Sequence, residues 1–131
     1  MKDLQRRARL AAARYLERRG FDVLDVDWRF GGRSIDIVAR EGETLVFAAV
    51  EVREAAEAGF PPSLNDEAQR AEREAAAIAY LASARPDDGP VRFDDVSVVA
   101  FAPDRAFIRH QRNSLGEVAE PESERALAGV A

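Results

Sequence analysis

Asp36, Glu51 and Arg53 stand inside stretches that otherwise read as buried strands, "SIDIVA" and "LVFAAVEVR". A carboxylate in apolar surroundings is costly unless something positive meets it. Three uses are therefore open: metal binding, catalysis, or a buried ion pair with Arg53 or an arginine of the first helix. Ion-pair networks mimic active sites, so the residue types alone do not choose. Alternation places Phe47, Ala49, Glu51 and Arg53 on one face of their strand. Arg53 cannot serve as a general base, because a guanidinium does not deprotonate in proteins, but it can hold phosphate in a bidentate manner. His110, the single histidine, reads as structural or exposed. Asp94 and Asp95 in "RFDDV" read as a bulge or strand edge, with a metal role as the lesser alternative. Trp28 reads as core, with base stacking as its alternative use.

These residues need elements to hold them. Residues 3–19 carry Leu4, Ala8, Ala11, Ala12, Tyr15 and Leu16 at helical spacing, with Asp3 as cap and Gly20 as the stop. Arg6, Arg7, Arg9, Arg14 and Arg18 form its basic, solvated face. A strand is expected over 21–29, with Leu24, Val26 and Trp28 on one face, ended by Gly31 and Gly32. A second strand covers 34–39. The short "REGE" loop joins it to a third at 44–53, which makes the two antiparallel neighbours with Asp36 and Glu51 facing the same side. Pro61 and Pro62 mark a loop. A second helix follows over 64–83, capped by Ser63 or Asn65, with Ala68, Ala71, Ala75, Ile78 and Ala82 as its thin apolar stripe. "RPDDGP" ends it, and strands at 91–101 and 106–109 close the domain. The order α-β-β-β-α-β-β implies an α/β fold with an α+β mixed sheet. Residues 1–114 form the domain, and 115–131 an acidic tail too poor in large apolar groups to be ordered.

The whole chain of 131 residues suits one domain. Without cysteine it has neither disulfides nor thiolate metal sites. Nothing at its start reads as a signal peptide and no apolar run approaches membrane-spanning length, so a cytoplasmic protein with no membrane role is expected. The net charge of −5 does not favour nucleic acid as a partner. Its distribution leaves that contact open: residues 1–33 hold nine Lys/Arg against five Asp/Glu, and Lys2 is the only lysine anywhere. Oligomeric state is not legible.

Several segments together resemble the restriction-endonuclease-like fold and, within it, the YraN/UPF0102 family of small nuclease-like proteins. "ARYLERRGF" resembles that family's first-helix end. "DWR" (27–29) sits where the family has Asn-x-Arg. "SIDIVAREGETLVF" resembles its Gly-Glu-Ile-Asp-Leu-Ile segment and following strand, "EVR" (51–53) its Glu-Val-Lys/Arg, and "VRFDDVSVV" and "IRHQRNSL" its closing strands. The likeness spans about residues 4–114. It implies a restriction-endonuclease-like α-β-β-β-α-β core with an extra C-terminal strand.

The resemblance also implies chemistry. Family members of this kind are expected to cleave phosphodiesters with Mg²⁺ (or Mn²⁺) held by an aspartate and a glutamate, with a basic residue two positions on. Carried over, Asp36 and Glu51 become the metal ligands, and Asp36, Glu51 and Arg53 the catalytic set. Arg9, Arg29 and Arg33 become the DNA or RNA contacts. The set is incomplete. Ser34 stands where the family motif has a glutamate, Arg9 where its first helix has another, and Gln69 or Arg70 near its second-helix lysine. The third strand admits two alignments. Placing Glu51 and Arg53 on the motif needs two extra residues in the preceding turn and is favoured here; aligning Phe47 without a gap puts Ala49 at the glutamate and Glu51 at the lysine. Metal binding that is weak at best, and phosphodiesterase activity that is impaired or lost, are the expectation. The alternative is an inactive binding or scaffold protein with no nucleic-acid role.

Overall fold

Residues 2–54, 66–83 and 89–115 are described in the computed structural model. They form helix α1 (Lys2–Arg18), strands β1 (Asp22–Phe30), β2 (Arg33–Glu41) and β3 (Thr44–Glu54), helix α2 (Glu67–Ser83), and strands β4 (Val91–Ala102) and β5 (Arg105–Gln111). The strands make one sheet in the order β1-β2-β3-β4-β5. β3 and β4 pair in parallel, as a crossover through α2 requires, and the other neighbours are antiparallel. This is the mixed α/β architecture and element order expected from the sequence.

The helices lie on opposite faces of the sheet, and the alternation along β3 shows how. Val46, Ala48 and Val50 join Ala8, Ala12, Ala13 and Leu16 of α1 in one buried cluster. Leu45 and Phe47 join Ala76, Ala77 and Tyr80 of α2 in the other, together with Val38, Phe93 and Leu115. Alanines on both helices allow close approach to the sheet. Each large side chain buried there, such as Leu16 or Phe47, contributes about 1.5–3 kcal/mol. No helix among the described residues is long and apolar enough to cross a membrane.

Turn chemistry sets the boundaries. Gly20 adopts φ +95°, and the Gly20 and Phe21 N–H groups bond back to Glu17 and Leu16 carbonyls, which closes α1. Gly31 and Gly32 (φ +60° and +81°) form the two-residue β1–β2 turn that side chains with a Cβ would strain. Between β2 and β3, Glu41 pairs with Thr44, so only Gly42 and Glu43 lie in that turn.

Four local expectations are corrected. Asp3 is not the cap of α1: Lys2 is already helical, and Asp3 sits in the first turn against Arg6. The buried face of α2 is not the alanine stripe with Ile78, which is 66 % exposed, but Ala76, Ala77 and Tyr80. β1 does not present Leu24, Val26 and Trp28 on one face; Leu24 and Val26 are exposed, and only Trp28 packs inward. A register shift between Val23 and Asp25 and a positive φ at Asp27 (57°) break the alternation. Asp94 and Asp95 mark no bulge or edge: both are buried in an unbroken ladder with β3. The irregularity of β4 falls instead between Ala100 and Ala102.

The proposed caps Ser63 and Asn65, the Pro61–Pro62 loop and most of "RPDDGP" lie outside the described residues. α2 starts instead behind Asp66, whose carboxylate accepts the Gln69 N–H at 2.8 Å while the Gln69 side chain accepts the Asp66 N–H at 3.4 Å, a reciprocal cap. The tail was expected from residue 115, but Leu115 is buried in the α2-side cluster; residues 116–131 lie outside the described residues.

Candidate functional site

The β2–β3 ladder runs from its turn to the pair Ile37–Ala48 and then opens. At this fork β2 turns over, because Ile37 packs on the α1 side while Ile35, two residues away, packs on the α2 side. Asp36 lies at the turnover. Its Oδ2 accepts the Val50 N–H at 2.8 Å, and the Gln5 side-chain amide donates to the Val50 carbonyl at 3.2 Å. Side chains thus satisfy backbone groups of β3 at the place where the neighbouring strand has departed. The Arg9 Nε donates to Asp36 Oδ1 at 2.8 Å, with side-chain exposures of 16 % and 23 %. Asp27 adds a second carboxylate 3.9 Å from the Arg9 guanidinium.

Beside the fork is a cavity of about 180 Å³, walled by Ser34, Asp36, Ala49 and Arg73 over the apolar Ile35, Phe47, Ala76 and Phe93. Continuing the ladder one step beyond Ile37–Ala48 puts Ala49 opposite Asp36. Glu51 lies two residues further along β3. It belongs by alternation to the α2 face, shared with Leu45 and Phe47. There burial raises its pKa, and so does the nearby Asp95 charge, while Arg73 and Arg53 act against them.

Arg73 organises this second group, and sequence reasoning missed it. Its guanidinium donates to the Asp95 carboxylate at 2.8 Å, the Asp94 carbonyl at 2.9 Å and, more weakly, the Phe47 carbonyl and Ser114 hydroxyl. Ser114 also donates to Asp95, at 2.9 Å. The available signal was spacing: residues 73, 76, 77 and 80 follow the i, i+3, i+4, i+7 pattern of one helix face, with an arginine standing in the apolar series.

The named candidates therefore divide into three places. Asp36 and Arg9 meet at the fork, so Arg9 is part of an internal ion pair rather than a surface contact. Glu51 and Arg53 belong to the group around Asp95 and Arg73. Arg29 and Arg33 flank the β1–β2 turn and are exposed, paired with Asp27 at 3.1 Å and Glu72 at 3.6 Å respectively.

Mg²⁺ takes oxygen ligands in near-octahedral geometry, usually one or two carboxylates with waters. Here the carboxylate facing the cavity is Asp36, and both its oxygens already accept hydrogen bonds, one of them from a cation. Among the described residues, no three of His, Cys, Asp and Glu come together around a possible metal position. The residues present do not fit the ion.

A third charged group lies on the α1 face and has a different character. Asp94, with no exposed side-chain area, accepts hydrogen bonds from Arg92 (2.8 and 3.0 Å) and the Asn113 N–H (2.9 Å), and bonds His110 Nε2 at 2.8 Å. Burial pushes its pKa up, but the hydrogen bonds from His110, Arg92 and Asn113 outweigh that and hold it at about 2. Glu41 completes the group by pairing with Arg92 and Arg112.

Residues 10–98 match the family model described as "Uncharacterised protein family UPF0102". A UPF0102 protein of Geobacter sulfurreducens is 36 % identical over 103 residues, covering 79 % of this chain and 80 % of its own. One from Geobacter metallireducens is 34 % identical over 113 residues, covering 86 % and 92 %. One from Roseiflexus castenholzii is 41 % identical over 88 residues, covering 66 % and 71 %.

Proposed function

The chain belongs to the UPF0102 family, and on that premise we propose a nuclease-fold protein that associates with nucleic acid and whose metal-dependent phosphodiesterase activity is weak or lost. The observation that carries this reading is the Arg9–Asp36 pair. The family resemblance assigns Asp36 to the metal, and in this chain a guanidinium lies 2.8 Å from that carboxylate. A fixed positive charge neutralises Asp36 without supplying a coordination position or an activated water. The two-residue turn supports the gapless alignment, because a turn this short is an unfavourable place for a two-residue insertion. In that alignment Ser34, Ala49 and Arg9 stand at three carboxylate positions, and Glu51 at the lysine. Arg53 cannot activate water, and the one lysine of the chain is Lys2.

The test is an assay on branched, single-stranded and duplex DNA with Mg²⁺ or Mn²⁺. Little or no cleavage is expected. Robust cleavage that disappears both with a chelator and in Asp36→Asn overturns the proposal.

The alternative, a binding protein with no nucleic-acid role, draws support from a groove of about 760 Å³ between α1 and the β4–β5 hairpin, where Leu10, Phe101 and Ile108 lie among Arg7, Arg14, Arg18 and Arg105, which outnumber Glu54 and Asp104. Such mixed apolar and cationic lining suits an acidic amphipathic protein segment.

A further inference from the structure

Phe30 sits at the end of β1 beside the Gly31–Gly32 turn and is 58 % exposed. A ring so placed adds little to the core, yet it has an aromatic partner. It stacks on Trp28 with centroids 6.0 Å apart and planes 25° from parallel. Trp28 meets Tyr80 edge-on at 5.1 Å, Tyr80 meets Phe47 at 5.7 Å, and Phe47 meets Phe93 at 5.8 Å. The Tyr80 hydroxyl donates to Asp25 at 2.8 Å, which ties the series back to β1. An aromatic series thus runs from the core to the hairpin tip and ends in a largely exposed ring.

The surroundings of that ring are cationic. Arg33 is the cross-strand partner of Phe30, hence on the same face, and Arg29 pairs with Ser34 on the other. Both arginines hold exposed carboxylate pairs of the kind worth little in water, which a phosphate can displace. Gly31 and Gly32 lack a Cβ and have open space where one would stand, so nothing from the turn covers the ring. The hollow formed by residues 29–34, about 370 Å³, has Ser34 in common with the lining of the cavity beside Asp36.

We propose that the β1–β2 hairpin tip is a clasp for single-stranded nucleic acid, in which a base stacks on Phe30 and adjacent phosphates pair with Arg33 and Arg29. The inference rests on the nucleic-acid reading above and narrows it to a strand form. Bases of a duplex are stacked on one another and cannot lie on Phe30, whereas an unpaired base can, whatever its identity. A strand so held would pass Ser34 toward the cavity.

The experiment uses the full chain, a fluorescein-labelled oligo-dT of twelve residues, the equivalent oligo-rU, and a duplex of the same length, in fluorescence anisotropy across a salt series. The single strands are expected to bind more tightly than the duplex, the tighter of the two naming the polymer, with affinity falling as salt rises. Trp28, the one tryptophan, should report base stacking on its neighbour by a change in its emission. Phe30→Ala should weaken single-strand binding roughly tenfold and leave duplex binding unchanged. Phe30→Tyr should retain binding. Arg29→Ala/Arg33→Ala should weaken both forms and flatten the salt dependence. The melting temperature of Phe30→Ala serves as the check on folding. Single-strand affinity unchanged in Phe30→Ala, or preference for duplex, overturns the clasp while leaving nucleic-acid association intact. No binding of any probe by the wild type at low salt overturns the association itself, and the clasp with it.

Discussion

Asp36 and Asp94 each accept a hydrogen bond from an arginine at 2.8 Å, and the likeness ends there. Asp94 is fully enclosed, and an arginine, a histidine and a backbone N–H converge on it. Asp36 forms part of a cavity wall, about a quarter exposed, with Arg9 and one backbone N–H as its partners. A carboxylate saturated by permanent partners can only be structural. One that keeps access to a cavity can be functional, and its partner decides how. At the fork that partner is a guanidinium from α1, which neutralises the carboxylate and, on the function proposed above, takes the electrostatic role of a metal and none of its chemical roles.

Breaking the enclosed carboxylate should have the larger effect. Asp94→Ala leaves Arg92 and His110 without their shared anion and the Asn113 N–H without its acceptor, so a loss of about 3–5 kcal/mol in urea unfolding is expected. A loss below about 1 kcal/mol would mean that the network is incidental. The same carboxylate gives a signed pH effect. Its folded pKa of about 2 lies below the ordinary aspartate value of 3.8, so its contribution is complete above the unfolded value and fades as pH falls from about 4 toward 2. Acid unfolding of Asp94→Asn, followed by circular dichroism, should therefore be shallower through that window than that of the wild type; an unchanged profile would show that other carboxylates set it.

The fork should respond less. A double-mutant cycle of Arg9→Ala and Asp36→Ala is expected to give a coupling energy of about 1–2 kcal/mol, because the pair is largely but not fully enclosed and joined to Val50. A coupling near zero would reduce the pair to a surface contact and blur the distinction between the two aspartates.

The sequence was most readable where glycine or periodicity left no competing choice. Gly20, Gly31–Gly32 and the "REGE" turn mark their boundaries because left-handed φ angles or very short loops required them. The antiparallel pairing of β2 and β3 follows from the same short turn. What was hidden involved charge on buried faces. Arg73 obscured the inward face of α2, since its guanidinium is accommodated by Asp95, Ser114 and backbone carbonyls that are distant in sequence. Asp94 and Asp95 read as an edge because their partners, Arg92, His110 and Arg73, are assembled by the fold. Alternation could not place Asp36, because the period of two holds only in a regular ladder and β2 turns over between Ile35 and Ile37. Asp36 and Arg9 were both singled out from the sequence; their pairing was not, since it depends on where α1 crosses the fork.

The claim that Arg9 stands in the place of a cation is tested most directly by calorimetric titration of Mn²⁺ into the wild type and into Arg9→Glu/Ser34→Glu, with circular dichroism confirming that both are folded. The wild type is expected to bind on the order of millimolar or more weakly, and the variant, with three carboxylates around the cavity instead of one, substantially more tightly. Tight binding by the wild type would contradict the account, and a folded variant that gains nothing would show that the lost carboxylates are not what keeps the metal out.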